Sequence, residues 1–119
     1  MEKKFEAYDG SEDLLQESVA ILLDYYKVLW FHPPNGGRRS MAAGKKMKRS
    51  GTKPGVSDCI ILEPRGKYHG LFIELKNKKG SLQNTQKDFI ARSLERGYKA
   101  IVCRSIDEVE YELKKYLNE

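Results

Sequence analysis

Apolar residues recur at helical spacing near the start of the chain, as Leu14, Leu15, Val19, Leu22, Leu23 and Tyr26, with Ser11 placed before them as an N-cap. This predicts a first helix reaching about Tyr26. "KVLWFH" reads as a strand of bulky residues, stopped by the proline and glycine of "PPNGG". "SMAAGKKMKRSG" has the makings of a short basic helix closed by Gly51. Two further strands, "VSDCIILE" and "YHGLFIELK", flank a "PRGK" turn. Beyond them a helix is expected from Ser81 to Gly97, then the strand "YKAIVCR", then a last helix with a Ser105 and Glu108 capping box. Strands and helices interleaved in this way predict an α/β fold with a mixed sheet flanked by helices.

Several polar residues break this pattern. At about 100° per residue, Glu12 falls within the arc of Leu15, Val19, Leu23 and Tyr26, whereas Glu17 points the other way. An acidic residue in a first helical turn usually complements the helix macrodipole, so Glu12 alone decides nothing. Asp58 sits in an apolar strand, where aspartate is disfavoured and its desolvation must be compensated. Glu74 and Lys76 alternate with Ile73 and Leu75 and share a face with Phe72, and Gln86 lies on the buried side of its helix, one turn before Phe89 and Ile90. A lone Glu-x-Lys is most often a solvated pair. Together, however, Asp58 and Glu74 suit a hard divalent cation such as Mg²⁺, and Lys76 is placed to assist water attack on a phosphate.

Length and charge narrow the classes. The 119 residues suffice for one domain, 1–119, with a single core. No apolar run approaches the roughly 18 residues of a membrane span, and the start resembles no signal peptide, so a cytoplasmic protein is expected. Cys59 and Cys103 lie in apolar runs without metal or disulfide spacing and read as buried thiols. The net charge is +5, yet residues 36–53 alone carry Arg38, Arg39, Lys45, Lys46, Lys48, Arg49 and Lys53 with no acid. That run favours a polyanion, and nucleic acid is the leading partner. The spacing of a phosphate-binding loop is absent.

An acidic first helix, "GVSD", a strand with "IELK" and a helix after "GSLQNTQ" together resemble the VRR-NUC family of the PD-(D/E)XK nuclease superfamily. The likeness runs from about Ser11 to Arg104 and falls on Glu12 with Gln16, Gly55 and Asp58, Glu74 and Lys76, and Gly80 with Gln86. It departs at Ser57, where the family usually has proline. The resemblance implies a restriction-endonuclease-like α-β-β-β-α-β core and Mg²⁺- or Mn²⁺-dependent hydrolysis of DNA phosphodiesters. Asp58 and Glu74 would bind metal, Glu12 would bind it directly or through water, Lys76 would assist the nucleophile and Gln86 would support the site. It also implies a stand-alone phage-type member, similar to Holliday junction resolvases, acting as a homodimer on branched or duplex DNA in a bacterial or phage-infected cell. On that reading Arg38, Arg39, Lys45, Lys46, Lys48, Arg49, Lys53, Lys78 and Lys79 contact phosphates. A noncatalytic DNA- or junction-binding module with the same fold is the competing reading.

Overall fold

A computed structural model describes residues 11–34 and 40–118. Helix α1 (Glu12–Tyr25) opens on Ser11, whose Oγ accepts from the Leu14 N–H at 3.1 Å. It buries Leu15, Val19, Leu22 and Leu23, the stripe expected from the sequence. Strand β1 is shorter than expected, only Trp30–Phe31 rather than all of "KVLWFH". Lys27 takes a left-handed φ of 59° to end α1, and Pro33 and Pro34 lack the N–H needed to continue the ladder.

Helix α2 (Met41–Arg49) forms as anticipated, capped by Ser40, and buries none of its side chains. Its last turn carries Lys46, Lys48 and Arg49, an arrangement that also complements the helix dipole. Strands β2 (Cys59–Ile61), β3 (Leu71–Leu75) and β4 (Lys99–Cys103) complete a four-stranded sheet in the order β1-β2-β3-β4. The first two pairings are antiparallel and β3 with β4 is parallel, so the sheet is mixed, as the sequence implied. Helix α3 (Asn84–Glu95) crosses between the parallel strands, and α4 (Ile106–Leu117) follows β4.

Two helix starts differ in detail from expectation. The cap of α3 is Gln83 rather than Ser81, and the Gln83 N–H donates to Gln86 Oε1 at 2.9 Å. At α4, Ser105 Oγ accepts from Glu108 N–H, whereas the Glu108 carboxylate reaches one residue further out, to Arg104 N–H at 2.9 Å. Both helices still satisfy their early donors, through different partners.

Strand β3 is buried along its whole length and its two faces do different work. Leu71, Ile73 and Leu75 join the α1 and α4 stripes and Tyr116 in the core, and the Tyr116 hydroxyl donates to the Glu63 carbonyl at 2.6 Å. Phe72, Glu74 and, just past the strand, Lys76 alternate onto the α3 side. The first face holds the sheet together, and the second carries the polar residues. Cys59 and Cys103 are free and buried, and burial pushes both thiols up to about 12. No described helix is long and apolar enough to cross a membrane.

Candidate active site

Register places the carboxylates. Because Cys59 pairs with Ile73 in an antiparallel ladder, the preceding Asp58 lies across from Glu74. Asp58 stands at the threshold of β2 rather than inside it, and its Oδ2 accepts from the Leu75 N–H at 2.7 Å. That bond supplies the compensation its desolvation demands. The His32 ring donates from Nδ1 to the Asp58 carbonyl at 2.6 Å and steadies the same residue from β1's side.

The approach to Asp58 depends on a glycine. Gly55 has φ 82°, and a Cβ there would lie 2.3 Å from the Thr85 carbonyl oxygen at the start of α3. Any side chain would have to push residues 53–56 away from α3 and carry Asp58 with them.

Glu74 is 3% exposed, and its Oε2 is gripped from two sides. Gln86 Nε2 donates to it at 3.0 Å, and Lys76 Nζ stands 3.8 Å away. Since Gln86 spends Oε1 on the Gln83 N–H, its amide is fixed in the orientation that offers Nε2 to Glu74. The cap of α3 is thereby part of the site. Lys76 is itself 7% exposed, and its N–H donates to the Cys103 carbonyl at 3.0 Å, extending the β3–β4 ladder by one residue. Both members of the Glu-x-Lys pair are buried, so it is not the solvated strand edge that such a motif usually forms.

Burial pushes the Glu74 carboxyl up to about 8, from an ordinary 4.5. The Asp58 charge and a hydrogen bond with Asp58 act in the same direction, Lys76 pulls it down, and the Glu12 charge raises it further. Glu12 is exposed at the start of α1, with its Oε2 beside Gly80 and close to the Lys76 stem, so it flanks the site. Glu17 makes no approach to these groups in the described contacts. Among the described residues no three His, Cys, Asp or Glu side chains close into a ready-made metal cage. Asp58, Glu74, Lys76 and Gln86 are brought together, and Glu12 stands to one side.

The turn after Lys76 is pinned by a residue that sequence reasoning passed over. Arg104 Nη1 donates to the Asn77 carbonyl at 2.8 Å and to the Gly80 carbonyl, while Asn77 Oδ1 accepts from the Lys79 and Gly80 N–H groups. Lys78 and Lys79 project from this fixed turn into solvent. Gln16 Nε2 donates to Cys59 Sγ at 3.7 Å, at the first residue of β2. Of the basic run, Lys45, Lys46, Lys48 and Arg49 are exposed on α2, Lys53 lies on the approach to Asp58, and Arg38 and Arg39 fall outside the described residues.

The model of the VRR-NUC domain family matches residues 11–107, and these span every residue of the cluster. The chain belongs to the VRR-NUC domain family. A solved structure titled "VRR_NUC domain protein" is similar to it at a TM-score of 0.74 and 28% identity, covering 93% of this chain and 92% of that one. No curated protein matches. The VRR-NUC fold thus accounts for the mixed sheet and its helices, and the family assigns a nuclease-type function. Ser57 is 1% exposed, and its Oγ finds no hydrogen-bond partner among the described residues. A buried hydroxyl without a partner costs stability.

The raised Glu74 carboxyl makes a stability prediction whose sign follows from linkage. With the folded value above the unfolded one, this group's contribution is fully present below about pH 4.5 and is lost as pH rises through about 8. In chelator, Glu74→Gln should therefore be more stable than the parent above pH 8, by about 2 kcal/mol or more, with the advantage vanishing towards pH 4.5. Thermal unfolding across pH checks this. Parallel curves for the two proteins would show that Glu74 is not held at a raised value.

Proposed function

We propose that this VRR-NUC domain is a divalent-metal-dependent DNA endonuclease acting on branched or otherwise structured DNA. The observation that carries the reading is the convergence of Asp58, Lys76 and Gln86 on one buried carboxylate, Glu74, at the end of the sheet. Such a set has an excess of carboxylate over cation. Among the described residues Lys76 is the cation paired with Glu74, while Asp58 and Glu12 both add negative charge around it, which is the donor chemistry that suits Mg²⁺ or Mn²⁺. Asp58 and Glu74 are the oxygen ligands in this proposal, with Glu12 joining directly or through water.

A bound divalent cation would polarise a phosphate oxygen and lower the pKa of an attacking water. The chain's own residues do the rest. Gln86 holds the Glu74 oxygen in one orientation, and the Leu75 N–H does the same for Asp58. The Lys76 ammonium donates a hydrogen bond that orients the attacking water and offsets negative charge growing on the phosphate. Burial of Glu74 and Lys76 keeps these interactions in a low-dielectric setting, where they count for more. The exposed cations of α2, with Lys53, Lys78 and Lys79, hold the flanking backbone, and a two-fold dimer would offer identical sites to two strands.

Linear, flap and four-way DNAs incubated with Mg²⁺ or Mn²⁺ should include at least one substrate that the unmutated protein cuts. Asp58→Ala should lose cleavage by on the order of a hundredfold or more while still binding DNA. Failure of the unmutated protein to cut any of them would leave a noncatalytic binder as the better reading. Separately, neutralising Lys45, Lys46, Lys48 and Arg49 together should flatten the salt dependence of binding, by about 0.9 in the log–log slope for each phosphate contact removed. An unchanged slope would exclude α2 from the DNA contact.

A further inference from the structure

A cavity of about 800 Å³ opens on the α3 side of the sheet, between α3 and residues 53–56. Phe72, Phe89 and Tyr98 form its aromatic wall. Phe72 stacks on Tyr98 at 4.7 Å between ring centroids and 21° between planes, and on Phe89 at 5.8 Å and 27°. Lys53, Arg92 and Arg96 stand at its edges. Asp88 offsets part of that charge, pairing with Arg92 at 3.8 Å, and a positive surplus is left. The volume lies within the roughly 300–1,000 Å³ typical of ligand clefts, and the lining is the usual mixture of apolar walls and a few polar groups.

The cavity adjoins the carboxylate cluster through two elements. Phe72 and Glu74 occupy the same face of β3, about 7 Å apart along the strand. On α3, Thr85 lines the cavity and its neighbour Gln86 holds Glu74. From Lys53 the surface continues into a shallower concavity beside Lys45 and Lys48 of α2. An aromatic recess is thus joined at one end to the cluster and at the other to a cationic track.

We propose that this cavity receives one unpaired nucleobase of the strand being cut, stacked against the Phe72, Phe89 and Tyr98 cluster, while Lys53, Arg92 and Arg96 hold the neighbouring phosphates. The proposal rests on the nuclease reading and names its substrate class: DNA with an unpaired nucleotide next to the scissile phosphate. Charge complementarity selects this occupant. A nucleotide brings a flat π face for the aromatic wall and an anion for each rim cation, whereas a second copy of the chain would set these same cations against one another. A paired base cannot enter, because its flat edge is engaged with its partner and both faces are stacked. The recess would therefore select flaps, bulges or branch points over continuous duplex.

The test is binding of labelled flap and bulged DNAs in chelator, with an abasic residue moved through each position around the junction. The expected result is one position at which base removal weakens binding about tenfold or more, with changes within about twofold elsewhere. Phe89→Leu, which keeps the apolar volume, should erase that difference, and its melting curve checks the fold. Arg96→Ala should weaken normal and abasic DNA alike. If no position responds to base removal in the unmutated protein while Mg²⁺ or Mn²⁺ still supports cleavage, the base recess is overturned and the nuclease reading stands. If the base effect is seen but no substrate is cut, the recess is supported and the nuclease reading fails. A dimer in sedimentation that Arg92→Glu dissociates would make the cavity a self-interface and overturn the proposal.

Discussion

The β2–β3 register sets two carboxylates against each other at one end of the sheet. Once Cys59 pairs with Ile73, Asp58 has to face Glu74, and a slip of one residue would turn Glu74 into the apolar core. Everything around the pair limits the cost of that juxtaposition. The Leu75 N–H binds Asp58, Gln86 binds Glu74, and Lys76 supplies the opposing charge from 3.8 Å. These partners do not neutralise the pair, and burial together with Asp58 still holds Glu74 up to about 8. Destabilisation of this kind persists at sites where function requires it, and the surrounding packing has to absorb it.

That packing is on the other face of the same strand. Leu71, Ile73 and Leu75 are at most 1% exposed and are locked between α1 and α4, so β3 is rigid where its polar side must be accurate. The parallel β3–β4 ladder continues through the Lys76 N–H, and Arg104 then fixes the turn from Asn77 to Gly80. Four separate parts of the chain thus bear on one carboxylate oxygen neighbourhood. A precisely held first layer supported by a second is what phosphoryl chemistry demands of a scaffold.

Much of this was legible in the sequence because it follows from periodicity and residue type. The α1 stripe, the order of elements, the Ser11 cap and the alternation that puts Phe72, Glu74 and Lys76 on one face all follow from local patterns. The six-residue reading of β1 failed because strand length depends on pairing, and only Trp30 and Phe31 find partners across from Ile60 and Ile61. Ser81 has a better intrinsic capping side chain than Gln83, yet Gln83 caps α3 because Gln86 is needed there to meet Glu74. Arg104 and the aromatic recess were illegible for a related reason. Their roles arise from residues 17 to 27 positions apart in sequence, and no local pattern marks such a meeting.

In the proposed reaction the Asp58 and Glu74 carboxylates, crowded together by the register, would hold a divalent cation. Calorimetric titration with Mn²⁺ near pH 7, repeated in buffers of different ionisation enthalpy, measures both binding and the protons released. A Glu74 carboxyl held at about 8 is mostly protonated there, so release of close to one proton per ion bound is expected. That release should disappear in Glu74→Gln, and binding itself should disappear in Asp58→Ala. Binding without proton release, or binding unaffected by Asp58→Ala, would rule out these two carboxylates as the ligands.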